Sequence, residues 1–312
     1  MYKRQSELRI GGWHGVSATA SYTWSHAIDN ASEIYPSYAG GNTLAQAQNP
    51  FETYGPERAN GGTDFPNVVG VAIVYDLPFY KAQHGLKGRA LGGWELNTTY
   101  RYTTGQPYTT IQRYPSNGSL CDPGGDFGTT YDTCRPILSN ASLPLTSVGQ
   151  YCDGTANTCL TPGLTPYPLG TLINFTDPCF GSSAGTTPCA VTPISGAHWI
   201  HNDPIAAQVV GTPFGGVGRN TLRGTPISTA NLSVFKNFRI TERFTAQLQA
   251  TAYNVMNVQF RGVPDPILDD VATGSFQNTD YNSNGGNTSN ILTDGVGPVS
   301  YTHLYGRLRF AR

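Results

Sequence analysis

The sequence has little charge and no long apolar run. Charged residues make up 12% of the 312 positions and the net charge is −1, whereas soluble globular proteins carry about 25% charged residues. This balance gives no sign of long-range attraction to nucleic acid or to anionic lipid, so no nucleic-acid partner is expected. The apolar runs fall short of the roughly 18 residues of a transmembrane helix, and the N-terminus lacks the apolar segment of a signal peptide.

Catalytic signatures are also missing. The sequence contains no Gly-x-Ser-x-Gly motif and no recognisable pair of carboxylates, so we expect neither enzyme activity nor a cofactor. His198 and His201, with Asp203 nearby, could face a common ligand, although solvated loop residues are the simpler interpretation. Asp280–Gly285 matches the first half of a calcium loop, but Ile291 stands where the last acidic ligand is needed. We therefore predict no metal site.

The abundant residues are those of strands and turns. The chain has 37 Gly, 22 Pro and 18 Tyr, and it is rich in Thr, Ser and Asn. This mixture favours many strands joined by turns and polar loops, not helices.

Val16–Ser25 shows the clearest strand pattern. Its odd-even alternation places five apolar residues on one face and five Ser or Thr on the other, over the ~9–11 residues that a tilted strand needs to cross a bilayer. The same alternation predicts further strands at Trp94–Thr104, Phe244–Tyr253 and Asn67–Leu77, and more weakly at Gln5–Ile10, Ser228–Phe238 and Tyr301–Ala311.

The connections between these strands alternate between short and long. Such alternation is typical of an antiparallel transmembrane β-barrel with periplasmic turns and extracellular loops. The longest connection, 106–227, is predicted to be an extracellular loop region. A soluble β-sandwich would also alternate its faces, but its water-facing side would carry more Lys and Glu.

All six cysteines fall within that longest connection. None forms a Cys-x-x-Cys motif, so disulfides in an oxidising compartment are favoured over zinc. Short loop closure favours Cys121–Cys134, Cys152–Cys159 and Cys179–Cys189. Their expected role is to stiffen a loop with too few apolar residues to pack itself.

Three polar residues on the predicted strands are candidates for the barrel lumen. Arg101, Gln247 and Gln249 lie on the polar faces of their strands. In a receptor they would hydrogen-bond a plug domain or a passing substrate; solvation by lumen water is the equally simple alternative.

Gly218–Phe260 resembles the penultimate hairpin of TonB-dependent receptor barrels, in particular the Oar-like group. The resemblance rests on Gly218-Arg219-Asn220, Arg223-Gly224, the strand end Leu232–Phe238 and Asn254–Asn257. Thr103–Tyr108 is similar to the strand end before a long loop in that family. The resemblance is dense over Gly218–Phe260 and diffuse over Gly15–Tyr108.

The resemblance implies a protein that binds a ligand at the cell surface and imports it through a plugged barrel in the outer membrane, energised by the inner-membrane TonB complex. Seven predicted strands is an odd number, and no plug domain is visible. We therefore expect the C-terminal portion of a larger barrel, with plug domain and signal peptide absent. Met1–Gln5 and Val299–Leu304 resemble translated adapter sequence.

Two alternatives to a receptor stay open on the sequence alone. One is an outer-membrane adhesin or structural surface protein, which would bind through its loops without energised uptake. The other is a secreted, disulfide-stapled, carbohydrate-binding β-sandwich, which would purify without detergent.

Overall fold

The computed structural model describes residues 2–30, 32, 49, 54–55, 57–110, 135–145, 147–155, 159–175, 177, 179, 187–241 and 244–259, and the backbone of 304–311. Its strands are β1 (Tyr2–Trp13), β2 (Val16–His26), β3 (Ile28–Asp29), β4 (Ala59–Asn60), β5 (Asn67–Asp76), β6 (Trp94–Thr103), β7 (Pro107–Tyr108), β8 (Ile137–Leu138), β9 (Val148–Tyr151), β10 (Leu172–Asn174), β11 (Trp199–Ile200), β12 (Leu222–Arg223), β13 (Ile227–Arg239), β14 (Thr245–Ala252) and β15 (Leu304–Ala311). The helices are α1 (Gly85–Leu91), α2 (Pro204–Val210) and a 3-10 turn, Ile194–Gly196. In this part of the chain, no helix has the length and apolar character needed to span a membrane.

The seven long strands form one antiparallel sheet in the order β1-β2-β5-β6-β13-β14-β15. Each corresponds to a strand predicted from alternation, and β2 begins at the predicted residue, Val16. The all-β, antiparallel prediction is therefore confirmed. Cys121, Cys134 and Asp280–Gly285 lie outside the described residues.

The register of the sheet sorts apolar and polar residues onto opposite faces. Cross-strand partners share a face, and one row of partners runs through Leu8, Ala20, Val71, Tyr100 and Ala230. The next row, on the other face, runs through Arg9, Thr19, Ala72, Thr99 and Asn231. A slip of one residue in any strand would mix the two faces, so the alternation itself fixes the register.

Aromatic side chains lie towards both ends of the apolar face. Tyr22, Trp24 and Tyr102 lie near one end, and Trp13, Trp94 and Phe238 lie near the other, by the register of their strands. The residues between these belts are aliphatic or small, such as Ala20 and Val71. An apolar band between two aromatic belts is the lipid-facing pattern of outer-membrane barrels.

The two ends of the sheet differ in the length of their connections. At the turn end, tight turns join β1 to β2 and β13 to β14, and residues 77–93 join β5 to β6. Gly15 is required there, because its φ is +86° and a Cβ would lie 2.5 Å from the Asp76 carbonyl oxygen. At the loop end, the connections 27–66 and 104–226 leave the sheet, and their described parts build the structures considered next.

Candidate functional site at the loop end

The described part of 135–217 folds into a small subdomain with its own apolar core. Strands β10-β9-β11-β8 form a four-stranded sheet in that order. Two buried apolar clusters flank it: Val148, Phe175, Trp199 and Val217 form one, and Tyr151, Leu172, Ala197, Ile200 and Ala206 form the other. The expectation that this region has too few apolar residues to pack itself is therefore wrong, because short strands collect apolar residues that are scattered along the sequence.

Two disulfides lie within this subdomain. Cys152–Cys159 and Cys179–Cys189 are bonded, across sequence separations of 7 and 10 residues, and both are pairs favoured by the sequence. The four cysteines pack around Ile173, which is fully buried. The disulfides thus form a third cluster of the core and do more than restrain a loop.

His198, His201 and Asp203 are buried, so their interpretation as solvated loop residues is wrong, and each serves the internal structure of the subdomain. His198 Nδ1 lies 2.6 Å from the Leu143 carbonyl oxygen, and His201 stacks on Phe175 with 5.1 Å between ring centroids. Asp203 caps α2 by accepting a hydrogen bond of 2.7 Å from the Ala206 amide, as an N-cap residue should. In the described residues no group of three His, Cys, Asp or Glu could hold a metal ion.

Arg219 is the centre of a cluster of polar contacts, called the clamp below, that joins the two long connections. The clamp consists of Asp29, Ser32, Glu57, Asn60 and Asp64 in the first connection and Arg135, Arg219, Asn220 and Arg223 in the second. The Arg219 guanidinium is fully buried and donates to the side chains of Asp29, at 2.5 Å, and Ser32, at 2.8 Å. It also donates to the Asp29 and Glu57 carbonyl oxygens. An arginine with this many donors bridges several chain segments at once.

Arg135 extends the clamp into the subdomain. Its guanidinium forms an ion pair with the Glu57 carboxylate, and both side chains are almost completely buried. Burial lowers the pKa of Arg135, while the hydrogen bond and charge of Glu57 oppose that shift. A buried ion pair is geometrically demanding, so Glu57 fixes the subdomain against the first long connection.

Asn220, the neighbour of Arg219, ties a third segment to the same place. Its side chain donates to the Asn60 carbonyl oxygen at 2.7 Å, and Asn60 returns a bond of 3.1 Å to the Asn220 carbonyl oxygen. Thr109 donates to Asn220 Oδ1 at 3.1 Å and accepts from the Asn220 amide at 2.8 Å. Asn220 and Thr109 are both buried, so these bonds are shielded from water.

Arg223 forms a third ion pair, closer to the sheet. It donates to the Asp64 carboxylate at 2.5 Å and to the Asp64 carbonyl oxygen at 2.8 Å. Asp64 is buried and also accepts from the Ala27 amide at 2.7 Å, and His26 Nδ1 lies 3.5 Å from it. Asp64 thus joins the end of the first long connection to its start at Ala27, and the ion pair adds Arg223 from the second long connection.

The two segments named in the resemblance meet each other in the structure. β7 pairs with β12, which sets Pro107 opposite Arg223 and Tyr108 opposite Leu222. Gly105 approaches Gly224 so closely that a Cβ would lie 1.8 Å from the Gly224 carbonyl oxygen. The Gly-Gln-Pro-Tyr and Arg-Gly patterns are therefore two sides of one backbone contact at the loop end.

The predicted lumen residues lie on the polar face of the sheet. Gln247 donates to Asn237 Oδ1 at 3.0 Å, and Gln249 donates to Thr251 Oγ1 at 3.1 Å. Arg101 is exposed and has Gly70 and Thr229 as register partners. The structure spreads the three residues over two strands separated by β13, and their role in a lumen stays a prediction.

Sequence reasoning missed the acidic half of the clamp. Asp29, Glu57 and Asp64 carry no motif, and each lies in a connection without periodicity. The low number of charges was the one signal in the sequence: in a chain with so few of them, acidic residues in a long connection and the arginines of the receptor-like pattern, Arg219 and Arg223, are candidates for pairing.

A comparison with known protein families matches residues 5–288 to the outer membrane beta barrel domain. The chain belongs to that family. A search of the curated proteins and of the solved structures finds no match.

Membership of this outer-membrane family identifies what the faces of the sheet contact. The apolar face with its aromatic belts is the side that contacts outer-membrane lipid. The protein is located in the outer membrane, and the alternative of a secreted β-sandwich is wrong. The clamp and the subdomain stand beyond the strands, at one end of the barrel wall.

Proposed function

We propose that this chain is part of a TonB-dependent receptor that binds a ligand at the cell surface and admits it for energised import. The observation that carries the proposal is the clamp. Arg219, Asn220 and Arg223, the residues of the receptor-like pattern, join three chain segments into one fixed surface at the loop end. A preorganised surface loses little conformational entropy when a ligand binds.

The loop end faces the cell exterior in this proposal, and the turn end faces the periplasm. Short turns on the periplasmic side and long loops outside are the rule for bacterial outer-membrane barrels. Disulfides such as Cys152–Cys159 also fit an oxidising environment. An epitope inserted after the exposed Gly163 should be detected on intact cells, and one inserted after Gly12 only after the outer membrane is permeabilised. The reverse labelling would refute the orientation.

The polar face lines the route of the ligand in this proposal. A plug domain, outside this chain, would occupy the pore and contact Arg101, Gln247 and Gln249. The TonB complex of the inner membrane would supply the energy by pulling on that plug. The proposal includes no catalytic step and no cofactor.

Energy dependence separates a receptor from an adhesin. In cells carrying the complete gene, a panel of fluorescent oligosaccharides and ferric chelates is offered to the parent, to a deletion of this gene and to a deletion of tonB. A receptor predicts that both deletions abolish uptake of the same compound. Loss of cell attachment on deletion of this gene, with no compound whose uptake depends on tonB, would establish the adhesin instead.

A variant of the clamp tests the same proposal more specifically. Arg219→Gln should reduce surface binding and uptake together, because it releases the segments that form the surface. The matched control is Arg58→Gln, which removes an exposed arginine from the first long connection, 27–66, at the same end of the sheet and should leave uptake unchanged. Equal amounts of each variant in the outer membrane must be verified by immunoblotting.

A further inference from the structure

The connection between β5 and β6 carries a local excess of positive charge that the overall balance conceals. Residues 78–93 include Lys81, Lys87 and Arg89 and contain neither Asp nor Glu. All three cations are exposed. A chain with a net charge of −1 thus concentrates three cations within one short segment at the turn end.

Hydrogen bonds fix this segment against the lipid-facing side of the barrel wall. Trp94 and Lys236 are register partners on the apolar face. The Trp94 indole donates to the Ala90 carbonyl oxygen at 3.0 Å. Lys236 donates to the same oxygen at 3.2 Å and also to the Gly92 carbonyl oxygen, as a cation at a helix C-terminus does. Helix α1 therefore ends directly beside the apolar face.

A second set of bonds holds the start of the segment to β13. Gln83 is buried; its amide donates to the Asn237 carbonyl oxygen at 2.8 Å and accepts from the Arg239 amide at 3.1 Å. Gly92 packs so tightly that a Cβ would lie 2.1 Å from the Tyr80 carbonyl oxygen. The segment therefore has a defined structure, and hydrogen bonds hold both of its ends against the barrel wall.

The surface that this segment presents is apolar as well as basic. Phe79 and Tyr80 are 58% and 57% exposed, and Leu86 and Leu91 are 87% and 53% exposed. Exposed apolar side chains beside Lys and Arg, on a short helix that continues a lipid-facing surface, have the composition of an element that lies in a membrane interface.

We propose that residues 78–93 form an interfacial anchor that binds anionic phospholipid headgroups. The four apolar side chains enter the boundary between headgroups and acyl chains, and Lys81, Lys87 and Arg89 contact lipid phosphate. Two features of the structure select lipid as the occupant: continuity with the face that already contacts lipid, and charge complementarity to a phosphate surface. The anchor fixes the depth of the barrel wall at its turn end, which a receptor and an adhesin would both use.

The test is amide hydrogen exchange of the full chain in vesicles of two compositions. One contains phosphatidylcholine alone, and the other contains phosphatidylcholine with phosphatidylglycerol. Exchange in 79–93 should be slower in the anionic vesicles, by about fivefold per contacting cation, and added salt should remove the difference. Because both leaflets of each vesicle have the same lipids, the result does not depend on the orientation of the barrel.

Variants separate the contribution of the charged side chains from that of the apolar side chains. The triple variant Lys81→Gln, Lys87→Gln, Arg89→Gln should lose the difference between the vesicles, whereas Leu86→Gln should raise exchange in both. Arg58→Gln, at the opposite end of the wall, should behave as the parent. Gel mobility of the unheated protein verifies that each barrel wall is folded. Equal exchange of the parent in both vesicles, or a triple variant that keeps the difference, would overturn the proposal.

Discussion

Arg219 and Asp29 form an ion pair of 2.5 Å across 190 residues of sequence. Asp29 follows β2, and Arg219 precedes β13, so the pair joins connections that leave the sheet from different strands. Loop closure over such a distance is entropically costly. The pair is therefore maintained by the surrounding contacts, above all those of Ser32 and Glu57 with the same guanidinium.

The first prediction concerns this pair. Arg219→Gln removes the guanidinium donors of the Asp29 carboxylate and the Glu57 carbonyl oxygen. Removing one partner of a buried ion pair costs about 3–5 kcal/mol, and because the Asp29 side chain is 33% exposed we expect the lower part of that range. Trypsin should cleave the loop end of the variant in detergent at lower urea concentration than the parent, while the strands stay protected. Arg219→Lys should also make the loop end more sensitive to trypsin, since an ammonium group cannot reproduce the planar, branched geometry of the guanidinium. A parent-like cleavage profile would contradict the clamp.

The second prediction concerns the disulfides of the subdomain. Each closes a short loop, Cys152–Cys159 over 7 residues and Cys179–Cys189 over 10, and loops of this size contribute about 2–3 kcal/mol each in the chain-entropy account. Replacing either pair with Ser should destabilise the subdomain by that amount, measured by urea-dependent proteolysis of 135–217. The barrel strands should be unaffected. Loss of the strands in the same urea range would show that subdomain and wall unfold as one unit.

The third prediction concerns alkaline pH. Burial raises the pKa of Tyr108 and of Tyr151, so the folded loop end holds their protons more tightly than the unfolded chain does. The stability is therefore fully present below the unfolded pKa of about 10 and is lost as the pH rises through the higher folded values. Protease sensitivity of the loop end should rise in that window, and the double variant Tyr108→Phe, Tyr151→Phe should move the onset to higher pH. An unchanged onset would assign the alkaline transition to other groups.

The sheet could be predicted from the sequence because the alternation that specifies each strand lies within that strand. Val16–His26 alternates over its whole length, and a partly buried strand cannot slip without exposing apolar side chains. The contacts of the clamp, by contrast, could not be predicted from a local pattern. Asp29 and Arg219 are polar residues in aperiodic connections, and only the three-dimensional path brings them together. The subdomain escaped prediction for a related reason: β9 and β11 have four residues and two residues, too few for a period to be recognised.

The fourth prediction tests which face of the sheet meets lipid. Ala20 and Ala72 lie on adjacent strands, with Ala20 in the apolar row opposite Val71 and Ala72 in the polar row opposite Thr19. Arginine in the middle of a lipid-facing strand costs about 2–4 kcal/mol, whereas the lumen side tolerates charge. Ala20→Arg should therefore refold into phospholipid vesicles at lower urea concentration than the parent, and Ala72→Arg should refold as the parent does. The two substitutions are matched in residue type and in position along the wall, so their difference isolates the face. Equal losses of stability would mean that the two faces do not separate lipid from water, and the membrane orientation assigned to the sheet would then be wrong.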